Sequence, residues 1–342
     1  MKKIRFVFKR GHPNWRTVCR ALGAEFIQIK DPNNNPILQR CFHYLELPIT
    51  ITSSFFQSFL LKKTNGTIYL TTGIQPVFLP LFMRKFKKEN NKIIVIANDA
   101  SFYLQNKNKL LRPLYKKLFT EIDGVIAISP MIKNMAQQYV KRVAYIMDPL
   151  WRGHKYFSHT MPDFTTNNLI HVGDFFTIKG TDLTAKVAKR ITKALHSKCY
   201  FLGRRIKENL EKRGIRDPAF VFPGYQDPLT YFPKVKFYIQ IARLEAGGTA
   251  VLEAMAAGIV PFVNERVGHS NIVAKIDKDL IVSSNPEVAA QQIIKFVKKT
   301  PERKIKQLSQ KCRNITRRND PPYIIEDFKK ALKDIIKDDK KT

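Results

Sequence analysis

Two carboxylates, Glu245 and Glu253, flank a pair of adjacent glycines in the stretch RLEAGGTAVLEAMAAG, residues 243 to 258. The preceding KFYIQIA reads as a buried strand. GTAVLEAMAAG reads as a helix with Gly247, Gly248 and Thr249 in its first turn and Gly258 at its C-cap. A helix start carries N–H groups without intrahelical partners and a partial positive charge, and glycines let an oxyanion come close to the backbone. Together these residue types form a phosphate cradle. Glu253, about one turn into the helix, is placed to accept hydrogen bonds from vicinal hydroxyls such as those of a ribose. Glu245 stands near whatever lies beyond the phosphates, so the spacing suits a nucleotide with a sugar at its far end. The pair also fits a plainer use, Glu245 as a dipole partner and Glu253 as a solvated helix residue.

Such a cradle needs a strand to end just before it. Short β-branched or aromatic runs alternate with longer amphipathic segments along the whole chain: residues 4–8, 25–29, 67–71, 92–97, 124–129 and 142–146, then 168–173, 198–203, 219–224, 236–241, 260–264 and 280–284. That alternation predicts an α/β fold of two doubly wound, Rossmann-like domains facing a cleft, with ligands bound beyond the carboxyl ends of the strands. Residues 1–153 are expected to form the N-terminal acceptor domain and 169–320 the C-terminal donor domain. HKYFSHTMPDFTTNN, residues 154–168, has turn formers and no clear period and reads as the linker. Residues 321–342 open on Pro321-Pro322 and carry apolar residues at helical spacing, which predicts a terminal helix packing back toward the N-terminal domain.

The 342 residues, 44% hydrophobic, suffice for two cores. The longest apolar runs, such as Phe55 to Leu61, fall well short of the ~20 residues of a membrane span, and the opening MKKIRFVFKRGHPNW lacks an apolar stretch of signal-peptide length. The expectation is a cytoplasmic protein, with the inner face of the membrane as a peripheral location. Cys19, Cys41, Cys199 and Cys312 are scattered, without metal-ligand or disulfide-framework spacing. Lys and Arg number 60 against 28 Asp and Glu, a net charge of +32. Such a field attracts polyanions, whether phosphate-bearing substrates, anionic lipid or nucleic acid, and does not choose among them.

A wider pattern surrounds the two glutamates. Glu245 and Glu253 with EAMAAGIVPFV and VGHSNIV after them resemble the donor-binding signature of retaining GT-B glycosyltransferases, the group 1 or family 4-like type. HVGDFFTIKGTDL, residues 171–183, resembles that family's strand, glycine and Lys-Gly, with Gly173, Lys179 and Gly180 at matching positions. The likeness covers most of the second domain and about a third of the first. It implies a hexosyltransferase moving a sugar from a nucleotide-diphosphate donor to a lipid-linked or polysaccharide acceptor with retention of configuration, and no cofactor beyond the donor itself. By that resemblance Lys179 neutralises the diphosphate, the backbone from Ala246 through Gly247, Gly248 and Thr249 cradles it, Glu253 holds the ribose, Glu245 contacts the transferred sugar and Tyr225 flanks the base.

The chain also departs from the family. Asp174 stands where arginine follows the strand glycine, Asn271 where glutamate is common, and the first N-terminal loop keeps only Gly11. Arg204 or Arg205, after the strand at 198–203, is the candidate replacement cation. Asp277-Lys278-Asp279 is formally a DxD, but its setting between a short helix and a strand is ordinary turn composition, and no metal site is expected. The helix start and Lys179 supply the positive field instead. Asp99, after the strand at 92–97, is the N-domain candidate for binding the donor sugar or acting on the acceptor, and His12 a second; an Asx turn explains Asp99 equally well. Residues 76–92 and 106–119 place lysines beside apolar helical faces, as an interfacial helix on anionic lipid does, and as a buried helix with a solvated face does too. The alternative function is a nucleic-acid-binding or nucleic-acid-glycosylating protein on the same fold, with or without catalysis.

Overall fold

The computed structural model describes residues 2–9, 13–29, 46–98, 112–150, 153–159 and 161–337. They fall into two compact units, Met1–Trp151 together with Pro321–Thr342, and Arg152–Asp320. Asp99, His12, Gly11, Cys41 and residues 106–111 lie outside the described residues.

In the first unit the strands are β1 (Ile4–Phe8), β2 (Glu25–Gln28), β3 (Thr67–Thr72), β4 (Asn91–Ala97), β5 (Gly124–Ala127) and β6 (Val143–Tyr145), in the order β2-β1-β3-β4-β5-β6. Every neighbouring pair is parallel. A parallel sheet needs both faces covered, and the all-buried run of β5 reflects it. One cover is the helix Pro321–Ile336, whose Ile324, Phe328, Leu332 and Ile335 join Phe6, Trp15 and Ile126 in one core. Trp15 and Phe328 meet with ring centroids 5.9 Å apart, and Arg142 donates to the Ile335 carbonyl at 2.6 Å. Gly124 admits this helix: a Cβ there would lie 2.2 Å from Ile335 Cγ2.

The second unit holds β7 (Leu169–Val172), β8 (Cys199–Leu202), β9 (Phe220–Gly224), β10 (Phe237–Gln240), β11 (Val260–Asn264) and β12 (Ile281–Val282), in the order β12-β11-β10-β7-β8-β9. All its pairs are parallel as well. The chain runs outward through β7, β8 and β9, then returns to lay β10 on the other side of β7. The order therefore reverses between β7 and β10, and the crevice beyond their carboxyl ends is where ligands of such sheets bind.

Two readings of the sequence need correction. Residues 154–168 are not a bare linker: Gly153–His159 is a helix inside the second unit, where Tyr156 is buried and its ring lies 6.1 Å from that of Phe232. One aromatic anchor on so short a helix leaves no period to detect. The helix after β10 also starts later than its composition implies, at Thr249, with Gly248 as N-cap; it ends at Ala256, and Gly258 takes a left-handed φ of +84° beyond the C-cap.

Among the described residues no helix is long and apolar enough to cross a membrane. The two segments read as interfacial use their apolar faces mainly inward. Helix Phe78–Phe86 buries Phe78, Leu79, Pro80 and Met83, and helix Arg112–Thr120 buries Leu118 and Phe119.

Candidate functional site

Four loops follow β10, β7, β8 and β9 at one end of the second sheet, and with Glu253 on the helix Thr249–Ala256 they carry the second-domain residues that the sequence resemblance assigns to the donor. Gly173 and Asp174 end β7, Lys179 and Gly180 precede the helix Thr181–Leu195, and Arg204 follows β8. Tyr225 follows β9, and residues 243–249 lead from β10 into the helix Thr249–Ala256.

Two of these loops are locked together. Gly180 turns with φ +70°, and a Cβ there would lie 2.1 Å from the Ile241 carbonyl oxygen, so only glycine lets the loop after β7 press on the end of β10. Arg243 reaches both Asp182 oxygens at 2.7 Å and the Thr177 carbonyl at 2.7 Å, while the N–H groups of Arg243 and Leu244 donate to the Ile178 carbonyl. Thr184 Oγ1 accepts from the Ile241 N–H at 2.9 Å. Burial works to raise the pKa of Asp182, but the hydrogen bonds and charge of Arg243 outweigh it and hold the carboxyl below its usual value. Neither Asp182 nor Arg243 was marked by sequence spacing, since their geometry is bidentate but they are 61 residues apart.

The carboxylate of Glu245 sits at the junction. Its Oε2 lies 3.2 Å from Lys179 Nζ and accepts from Gln240 Nε2 at 3.4 Å, and Gln240 Oε1 in turn accepts from the Tyr238 hydroxyl at 2.9 Å. The Glu245 backbone is pinned by a parallel bridge to Val267, with its N–H donating to Arg266 and its carbonyl accepting from Gly268. Burial, then the charges of Glu245 and Glu253, push the Tyr238 phenol well above its ordinary pKa. Gly248, in the left-handed region at φ +89°, lets this loop pass under Val267, whose Cγ1 would lie 3.0 Å from a Cβ. The helix that follows begins at Thr249, with Ala246 and Gly247 leading into it and Glu253 half-buried one turn on.

Arg204 is engaged by the residue that replaces the family's arginine. Its N–H donates to Asp174 Oδ1 at 2.8 Å, its Nε to Oδ2 at 3.0 Å, and its guanidinium lies over the Tyr225 ring, 5.1 Å from the centroid. Asp174 thus aims Arg204 at an exposed aromatic ring. Arg205 instead takes a left-handed φ of +60° as the N-cap of a short helix. Open space adjoins Gly173. His171, inside β7, is buried and donates from Nδ1 to the Ile239 carbonyl at 3.1 Å; burial pushes its pKa down to about 4, so it is a neutral core residue. Asp277 Oδ1 accepts from the Asp279 N–H at 3.0 Å and Oδ2 pairs with Lys304 at 3.3 Å, which makes the DxD a capped turn.

This edge, with a glycine-led helix start, a lysine and two glutamates at the switch point, agrees with what residues 160–318 match. They match the family model of the glycosyl transferases group 1. The fold is GT-B, as in solved glycosyltransferases. HepE from Anabaena, in complex with UDP and glucose, superposes with a TM-score of 0.74 at 12% identity, covering 98% of this chain and 100% of that one. A UDP-forming α,α-trehalose-phosphate synthase from Burkholderia xenovorans gives 0.74 at 11% identity over 99% of this chain and 100% of that one. A TarM variant from S. aureus, in complex with fondaparinux, alpha-GlcNAc-glycerol and UDP, gives 0.63 at 17% identity over 84% of this chain and 59% of that one. No curated protein sequence is significantly similar to this chain.

Proposed function

We propose that the protein transfers a hexose from a nucleotide-diphosphate donor to a glycan or lipid-linked acceptor, with retention of configuration. The observation that carries the reading is the contact between Lys179 and Glu245 beside the helix start at Thr249. It pairs a cation for the diphosphate with a carboxylate for the sugar. The diphosphate lies against Gly247, Gly248 and Thr249, where the helix dipole and Lys179 offset its charge without a divalent ion. Glu253 accepts from the ribose hydroxyls, and Glu245 accepts from the hydroxyls of the sugar being moved.

At the far end the Tyr225 ring and the Arg204 guanidinium form a flat, partly cationic surface suited to a base. The ligands of HepE and TarM, UDP in both, favour uridine. With no enzyme nucleophile assigned, the leaving phosphate serves as the base for the acceptor hydroxyl. The C–O bond to the acceptor forms on the face from which the phosphate departs, and the acceptor proton goes to that phosphate. Asp99, outside the described residues, keeps its proposed part in acceptor or sugar binding.

A thermal-shift panel of UDP, GDP, ADP and CMP and their sugar conjugates, on wild type and Glu253→Ala, tests the donor. A diphosphate at a hundred times its Kd stabilises by about 2.7 kcal/mol. A selective shift lost in the variant supports the reading, and no shift with any nucleotide sinks it in favour of nucleic acid as the polyanion. Once an acceptor is in hand, the anomeric proton coupling of the product tests retention.

A further inference from the structure

Helix Glu46–Leu60 in the first unit has its faces reversed. Its buried stripe is Thr50, Ser54 and Ser58, each at most 2% exposed, while Phe56, Phe59 and Leu60 stand outward at 64%, 56% and 84%. Beyond Glu46 the helix carries no charged residue, in a chain that is 26% charged. A helix on a water-facing surface normally does the opposite, burying its large apolar residues and exposing polar ones. Small residues inside allow close packing against a neighbouring helix and leave the large ones for an apolar medium outside, the arrangement helices use in lipid.

The patch extends onto the neighbouring helix Phe78–Phe86. The Phe55 ring meets Phe56, Phe59, Phe82 and Phe86 edge-on at centroid distances of 5.8, 4.9, 5.5 and 5.5 Å, and Phe86 is itself exposed. Lysines rim it. Lys62, Lys63, Lys85 and Lys88 are exposed, and Lys87 donates to the carbonyls of Phe59 and Leu61, closing the end of the reversed helix. Neither residues 47–63 nor 78–88 contain a carboxylate.

We infer that this face of the first unit docks on an anionic lipid bilayer. Phe56, Phe59, Leu60 and Phe86 enter the boundary between headgroups and acyl chains, and Lys62, Lys63, Lys85 and Lys88 lie at the lipid phosphates. A second copy of the chain fits the same face poorly, because a two-fold contact would set the two lysine rims against each other. An anionic membrane offers the apolar depth and the opposite charge together. The inference goes beyond sugar transfer and stands without it, although a lipid-linked acceptor is reached from such a surface.

The test is co-sedimentation of the full chain with vesicles of phosphatidylcholine alone and of an equimolar mixture with phosphatidylglycerol. The wild type is expected to sediment with the mixed vesicles and not with phosphatidylcholine. Phe56→Ser/Phe59→Ser/Leu60→Ser and Lys62→Glu/Lys63→Glu/Lys85→Glu should each weaken that binding at least about tenfold while keeping the wild-type nucleotide thermal shift. A Phe59→Trp variant adds a direct readout, a blue shift of tryptophan emission with mixed vesicles only. Wild type left in the supernatant, serine-variant binding equal to wild type, or no blue shift would overturn the inference. So would a dimer that the serine variant abolishes, or single-stranded DNA retained through these residues, since each names a different occupant. Failure here with an intact nucleotide shift leaves the transfer reading standing, and the converse result leaves the docking face standing.

Discussion

Lys179 and Glu245 are 66 residues apart in sequence and 3.2 Å apart in space, joining the loop after β7 to the loop after β10. An opposite charge at that distance makes the two side chains a unit, so a diphosphate bound as proposed would compete with Glu245 for the ammonium.

Replacing Lys179 should therefore cost binding more than folding. Lys179→Ala is expected to raise the Kd of the nucleotide diphosphate about ten- to a hundredfold, the range of one charge-assisted contact, with unfolding stability changed by less than about 1 kcal/mol because the pair is partly exposed. Isothermal titration and urea unfolding read the two effects separately. A Kd equal to wild type would remove Lys179 from the site.

Gly180→Ala should do the reverse. A left-handed turn costs a non-glycine residue about 1–2 kcal/mol before any clash, and here the new methyl meets the Ile241 carbonyl at 2.1 Å. The variant should lose at least about 2 kcal/mol, a melting-point fall of roughly 4 °C or more for a unit of this size. A melting point within a degree or so of wild type would show that the two loops are not pressed together.

Asp174→Ala frees Arg204 from both carboxylate oxygens. Stability should move by less than about 1 kcal/mol, since the Arg204 side chain is largely exposed. The Kd of the full nucleotide should rise about three- to tenfold while that of pyrophosphate stays put, because Arg204 lies over Tyr225, at the end proposed for the base. An equal loss for both ligands would mean that Arg204 serves the phosphates instead.

Two buried groups predict the acid limb of stability. His171 has a folded pKa of about 4, below its ordinary value, so the unfolded chain takes up a proton first and stability falls as pH drops from about 6.5 to about 4, by up to about 3 kcal/mol. The folded pKa of Asp182 is also lowered, so its contribution is present above an unfolded value of about 3.9 and lost as pH falls through the folded one. His171→Asn should flatten the urea midpoint between those first two pH values, whereas Asp182→Asn should flatten it only below the second.

Much of this architecture was legible in advance. Twelve short β-branched or aromatic runs coincide with twelve strands among the described residues, since an inner strand covered on both faces is apolar along most of its length, while the edge strands β2 and β6 are partly exposed. Helix Glu46–Leu60 escaped, because Thr50, Ser54 and Ser58 face in while Phe56, Phe59 and Leu60 face out, the reverse of the pattern that marks a surface helix. The site divides the same way. Glu245, Gly248 and Glu253 are local and readable, whereas the holds of Asp174 on Arg204 and of Asp182 on Arg243 join loops that only the sheet order β10-β7-β8 makes neighbours. The aspartate in the arginine's place reads as a loss in the sequence and as a support for Arg204 in three dimensions.

The helix Pro321–Ile336 sets an order on the birth of the protein. Phe328, Leu332 and Ile335 finish a core begun by Phe6 and Trp15, yet the ribosome makes all of Arg152–Asp320 in between. The second unit is one unbroken length of chain and can fold as it emerges, while the first waits with its apolar flank uncovered until its last helix is translated. Of the two units, the one begun first is therefore the one completed last.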